Sequence, residues 1–247
     1  AIATKHFKKI ILNDFLHSNN AIYQAFFSKG DWNASKINNI IRDYNNINGE
    51  DLAENYFSKN FGGKYFSKNS AKIIGFIRDN LEENRVNLTD REYYMLLASL
   101  LYSIDKIANT VGHYDAYFKK DFIKDRFFMR PIDPIEAKDV SIFQEDANLL
   151  VKKIKTDVVY IDPPYNSRQY SRFYHVLETL VKWDKPVLHG VALKPDPENM
   201  SVYCRVNAKD KFAELVKDID AKYLVVSYNN TYDSKSNSSK NKITLKE

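Results

Sequence analysis

The sequence predicts an α/β fold, an open and mostly parallel sheet with a large helical insertion. Three observations predict it. Strand-like and helix-like stretches alternate at both ends of the chain, which favours parallel pairing through helical crossovers. Between those ends lies a long, polar and mainly helical stretch. Three strand-like runs also end in an acid, at Asp14, Asp146 and Asp162, and open sheets of this kind bind ligands at the carboxyl ends of their strands.

The elements follow in order. Lys9 to Asp14 reads as a short buried strand ending in a carboxylate, and about Asn19 to Ser28 as a helix. From about Asp31 to Phe128 the pattern is helical, and its most apolar piece, Tyr93 to Val111, reads as a buried helix stopped by Gly112. Val140 to Phe143 is a strand closed by Gln144-Glu145-Asp146, followed by a helix through about Lys155 and a β-branched strand, Val158 to Ile161. Phe173 to Trp183 reads as a helix, 184 to 206 as a proline-bearing loop, Ala208 to Ile219 as a helix and Tyr223 to Ser227 as a strand. The tail from Asn229 to Asn241 is rich in Asn, Ser and Lys and reads as loop. The expected division is 1–30 and 129–247 as the α/β domain, with 31–128 as the helical insertion.

At 247 residues the chain can bury a full core. Lys and Arg number 37 against 32 Asp and Glu, a net charge of +5, compatible with a nucleic-acid partner or with a lysine-rich solvated surface. Cys204 is the only cysteine, so an intrachain disulfide and a cysteine-based metal site are excluded, which fits a reducing, cytoplasmic setting. No apolar run is long enough to span a bilayer and no secretory signal is visible. No metal site is expected, because His and Cys are too few, and His113 reads as structural.

The most informative residues are Asp162-Pro163-Pro164-Tyr165, directly after the Val158–Ile161 strand. Prolines cannot continue a ladder, because they lack the N–H it needs. They leave a rigid rim with one carboxylate, carbonyl acceptors and one aromatic face. An exocyclic amino group on a planar base offers two hydrogens to such acceptors and a ring to stack on Tyr165. A rigid turn opened by Asp before Pro is the plainer use of the same four residues.

Asp-Pro-Pro-Tyr resembles the catalytic motif of amino-methyltransferases acting on adenine-N6 in DNA. The longer run from Asp162 through Asn166-Ser167-Arg168-Gln169-Tyr170, then Phe173 to Glu178, is similar to the Dam-like (alpha) group, and within it to the FokI-type modification methylases. The resemblance implies a Rossmann-like sheet dependent on S-adenosylmethionine. It implies Asp162, Pro163, Pro164 and Tyr165 as catalytic residues, and Asp14, Asp146 and Asp162 as cofactor-binding residues. Asp14 would take the ribose and Asp146 the adenine end, with Glu145 as a neighbouring alternative. For both Asp14 and Asp146 the spacing alone leaves open a helix cap instead.

The family also carries a Phe-x-Gly-x-Gly loop before the ribose acid, and residues 1 to 13 contain no glycine. The expectation is therefore that an N-terminal piece and the final sheet strands lie outside this chain. The insertion is where the resemblance places target recognition, with Arg78, Arg85 and Lys106 as DNA contacts, joined by Arg168 and Tyr170 after the motif. Ser227 to Asn230 either line the target pocket or begin a turn.

The implied activity is site-specific methylation of adenine-N6 in double-stranded DNA, in a restriction-modification system with a cognate endonuclease. The motif type also serves cytosine-N4 or RNA adenine. From a different class, a non-catalytic nucleic-acid-binding module derived from a methyltransferase stands beside it.

Overall fold

A computed structural model describes residues 2–119, 126–137, 139–229, 231 and 233–244. The chain forms two compact units, one of residues 1–143 with 174–196 and one of 144–173 with 197–247. This differs from the expected boundaries at 30 and 128. The helical stretch shares one continuous core with the first strand's helix and with the helix after the motif, so it is no separate body.

The first unit begins with α1 (Ile2–His6), β1 (Ile10–Asn13) and α2 (His17–Phe27). It continues through α3 (Ala34–Asn45), α4 (Tyr56–Phe61), α5 (Lys68–Glu83) and α6 (Asp90–Asp105) to β2 (Val140–Phe143). α9 (His175–Lys182) completes it. β1 and β2 pair in parallel, Ile10 opposite Val140 and Asn13 opposite Phe143. α6 is the central helix, buried from Tyr93 to Ile104 over most positions. Its start is written in the sequence as Thr89-x-x-Glu92. The Thr89 hydroxyl accepts the Glu92 N–H and the Glu92 carboxylate accepts the Thr89 N–H, a reciprocal cap. Glu92 also takes the Asn33 N–H and pairs with Lys36, joining the starts of α3 and α6. Gly75 lets α5 approach α4, since a β-carbon there would meet the Asn55 side chain at 2.1 Å, and that side chain caps α4.

The second unit holds α7 (Ala147–Leu150), β3 (Lys155–Ile161), α8 (Tyr170–Phe173), α10 (Ala208–Asp218) and β4 (Asp220–Val226). β3 and β4 pair in parallel, and the Ser227 N–H donates to the Ile161 carbonyl at 2.9 Å, extending the ladder to the edge of the Asp-Pro-Pro-Tyr run. The core here is small: Val151, Ile161, Tyr203 and Leu215.

Several boundaries move from the expected ones. The apolar helix ends at Asp105, not Val111, and Gly112, although left-handed, lies beyond it. Its role as helix stop fails because Lys106 already caps the helix, its N–H on the Ile104 carbonyl. The helix expected through Lys155 is one turn of α7 followed by a 3-10 turn, Val151–Lys153. Lys155 belongs to β3, because it sits opposite Asp220 and their side chains pair at 2.9 Å. The helix expected from about Phe173 to Trp183 is α9, His175–Lys182, and a separate short helix, α8, Tyr170–Phe173, precedes it. The described strands form two separate two-stranded sheets. Strand propensity is local, whereas pairing is a tertiary choice, so the alternation pattern supports the α/β class more firmly than a single sheet.

Candidate active site

Asp162 ends β3 on the surface of the second unit, its side chain exposed. Among the described residues nothing hydrogen-bonds to its carboxylate or to the carbonyls of Asp162 and Pro163. Both prolines terminate the ladder as their chemistry requires, and Pro163 is buried beneath the rim.

Tyr165 is held from the far end of the chain. Its carbonyl accepts the Lys242 N–H at 2.8 Å and the Tyr228 hydroxyl at 3.2 Å. The Tyr228 ring meets the Tyr165 ring edge-on, centroids 6.3 Å apart at 79°. Edge contact leaves a face of Tyr165 for another planar group. Of the four residues Ser227 to Asn230, Tyr228 thus lies beside the motif, and Asn230 is outside the described residues.

The loop after Tyr165 is pinned by buried polar groups. The Gln169 amide exchanges two hydrogen bonds with the Ser201 backbone, at 2.9 and 2.7 Å. The buried Asn166 side chain accepts the Arg168 N–H at 3.0 Å. The Cys204 thiol donates to the Arg168 carbonyl, and burial pushes that thiol up to about 11, which keeps it protonated and inert. The Arg168 guanidinium lies over the Phe173 ring and reaches the Ser239 hydroxyl at 3.1 Å. Tyr170 opens α8 and is exposed. Asn166, Gln169 and Ser201 received no role from the sequence. Asn166 and Gln169 stand inside the Asp162–Tyr170 run, which was the available signal, whereas Ser201 carries none.

Asp146 caps α7, its Oδ1 accepting the Asn148 N–H at 2.8 Å. The cap is therefore present, and the second oxygen keeps its acceptor capacity. Glu145 instead pairs with Lys153.

Asp14 belongs to the first unit. It follows β1, and α2 begins three residues later, with Leu16 in the cap position. One Asp14 oxygen accepts the Leu16 N–H at 2.8 Å and the other the Asn19 side-chain amide at 2.7 Å. Burial raises its carboxyl above the ordinary aspartate range, partly offset by those hydrogen bonds. The amides that open α2 are taken by another acid. Glu178, on α9, accepts the His17 N–H at 2.9 Å and the Ser18 N–H at 2.8 Å.

Arg78 requires a correction. It is 1 % exposed, and its guanidinium donates to the carbonyls of Leu180 and Val181 and to the Tyr93 hydroxyl, and pairs with Glu82. It joins α5 to the end of α9, and its guanidinium is buried away from any phosphate at the surface. An arginine on a polar helix looks exposed in sequence, and only packing reveals that it faces inward. Arg85 is engaged by Asp90 and lies over the Tyr93 ring at 4.5 Å. Lys106 is exposed at the end of α6. The His113 Nδ1 accepts the Asp115 N–H at 3.3 Å, a local turn. Among the described residues no three His, Cys, Asp or Glu side chains are grouped to hold a metal, and no helix is long and apolar enough to cross a membrane.

Residues 1–232 match the family described as D12 class N6 adenine-specific DNA methyltransferase. Among curated relatives, modification methylase StsI of Streptococcus sanguinis is 37% identical over 67% of this chain and 26% of its own length. Type II methyltransferase M.NlaIII of Neisseria lactamica is 35% identical over 68% of this chain and 52% of its own. M.FokI of Planomicrobium okeanokoites is 33% identical over 66% of this chain and 26% of its own. The chain thus spans between about a quarter and about half of these relatives. No solved structure matches it.

Proposed function

Since the chain belongs to the D12 class of N6 adenine-specific DNA methyltransferases, we propose that it carries the catalytic rim of a site-specific DNA adenine-N6 methyltransferase of a restriction-modification system. The carrying observation is the rim itself. An exposed carboxylate, an open carbonyl and an aromatic ring stand together at the end of β3, and no described residue bonds to either acceptor.

The target adenine has to leave the duplex stack to reach such a rim. Tyr165 stacks on the extruded base. The Asp162 carboxylate and the Pro163 carbonyl accept the two amino hydrogens, which turns the nitrogen lone pair outward. The work of these residues is positioning and electrostatics. Asp162 need not be a strong base beforehand, because the amino proton becomes acidic only as the new bond forms.

Each taken by itself, Asp14 and Asp146 have the acceptor capacity that the ribose and the adenine of S-adenosylmethionine require. Asp14 retains acceptor capacity after its two hydrogen bonds, since a carboxylate accepts about four, and it sits after a strand, where ribose-binding acids stand. Asp146 keeps one free oxygen. When bound, the cofactor supplies a methyl group on a positively charged sulfur. Residues 1 to 13 offer no glycine for its methionine end. We read the fold as that of a Rossmann-like methyltransferase, and the substrate as double-stranded DNA shared with a cognate endonuclease in the cytoplasm. With Arg78 withdrawn, Lys106, Arg85, Arg168 and Tyr170 remain as DNA contacts.

The test is product identity. DNA treated with the enzyme and methyl-labelled cofactor is digested to nucleosides. N6-methyladenosine as the sole labelled product is expected. N4-methylcytosine, or label only in RNA, would move the substrate class, and no label with intact cofactor and DNA binding would leave a binding module.

A further inference from the structure

Glu178 is the last residue of the run that resembles the modification methylases, and the proposed reaction does not use it. It is 7 % exposed, on a helix whose His175, Val176, Thr179 and Leu180 are also buried. A carboxylate is not placed there for packing, since burying one is costly unless its oxygens are satisfied. Both are satisfied by the first amides of α2, His17 and Ser18. These amides lie three and four residues after Asp14.

Asp14 is itself oriented by the same turn. One oxygen rests on the Leu16 N–H, the other on the Asn19 amide within the first turn of α2. The opening of a helix attracts any nearby carboxylate, through its unpaired N–H groups and its partial positive charge. Asp14 is the nearest acid in the chain to that opening, and α2 has no side-chain cap of its own. With Glu178 removed, the His17 and Ser18 amides would be left for Asp14, and its oxygens would be drawn from the Leu16 and Asn19 contacts onto them.

We propose that Glu178 is a positioning residue for cofactor binding: by occupying the His17 and Ser18 amides from a helix distant in sequence, it confines the Asp14 carboxylate to its Leu16 and Asn19 contacts, where its remaining acceptor capacity serves the ribose. The inference rests on the ribose assignment of Asp14. Glu178 itself touches neither substrate nor cofactor. Its charge matters as well as its shape, because the helix opening prefers an anion. Glutamine keeps one carbonyl acceptor and replaces the other with a donor facing a donor.

The experiment is a double-mutant cycle of Asp14→Asn and Glu178→Gln in the enzyme. It reads the Kd for S-adenosylhomocysteine by calorimetry, KM and kcat, and the Tm without ligand. Glu178→Gln is expected to raise Kd and KM at least fivefold, with kcat at saturation changed less than twofold. In the Asp14→Asn background the same change should add less than twofold to Kd. A lowered Tm with unaltered Kd makes Glu178 a structural cap and overturns the proposal, while the ribose assignment stands. Additive effects on Kd also overturn it, because Glu178 would then act apart from Asp14. If Asp14→Asn leaves Kd unchanged, the ribose assignment fails and the proposal falls with it. Should Glu178→Gln not fold, Glu178→Asp, which keeps the charge on a shorter arm, carries the same cycle.

Discussion

The two units differ in what their residues are used for. The first is built around a dense core. Phe57, Phe61, Tyr65, Phe66, Ile74 and Leu96 are fully buried there, and its buried charges are matched, Arg78 by four partners and Glu92 by three. The second has, among the described residues, a core cluster of only four buried side chains and a sheet that leaves Tyr160 65 % and Tyr223 67 % exposed, with Leu224, Val225 and Val226 exposed beside them. Yet the second unit carries Asp162 and Tyr165. Dense packing and the proposed rim thus fall in different units, while the proposed ribose acceptor, Asp14, lies in the first. Where stability is concentrated, charged groups are consumed internally. Where the rim sits, acceptors are left open and order is imposed by a few hydrogen bonds through Gln169, Ser201 and Tyr228.

The comparison can be broken in four ways, the largest effect first. Arg78→Ala leaves the buried Leu180 and Val181 carbonyls and the Tyr93 hydroxyl without their donor. A loss of about 3–5 kcal/mol is expected, read as a lower urea midpoint. Arg78→Lys should recover little of it, since one ammonium cannot serve the four directions of a guanidinium. A stability change below about 1 kcal/mol, with weakened DNA binding instead, would return Arg78 to the DNA surface.

Asp162→Ala acts in the opposite sense. It removes an acceptor that has no packing partner, so Tm should stay within a few degrees. Methyl transfer should fall at least about a hundredfold, about 2.7 kcal/mol of transition-state stabilisation. Activity retained within tenfold removes Asp162 from the reaction.

Tyr165→Ala should weaken capture of the extruded base by about 1–3 kcal/mol, while Tyr165→Phe, which keeps the ring, is mild. Fluorescence of 2-aminopurine at the target position reports the extrusion. If Phe were as damaging as Ala, the hydroxyl and not the stacking face would be what counts.

The smallest effect is a pH dependence. Burial raises the Asp14 carboxyl above its ordinary value of 3.8. The native protein therefore takes up this proton at higher pH than the unfolded chain. As pH falls between the raised native value and 3.8, Asp14 protonation favours the native state while removing the ribose acceptor. The Kd for S-adenosylhomocysteine should therefore rise in that window, and the rise should vanish in Asp14→Asn. Identical profiles in the two proteins would separate Asp14 from cofactor binding.

By itself the sequence determined the α/β class, the strand ends at Asp14 and Asp162, and the rim of Asp162 to Tyr165. Each is a local matter. Periodicity and the missing N–H of proline act within a few residues, so neighbours in sequence suffice to read them. Tertiary structure alone decided that β1 pairs with β2 and β3 with β4, and that Arg78 points inward. It also decided that Gln169 answers to Ser201 and Tyr165 to Tyr228, and that Glu178 closes a helix opening 160 residues earlier. These depend on which surfaces meet. A charged residue on a helix reads the same whether its partner is water or a distant backbone, because burial is a property of the packed chain and not of the residue.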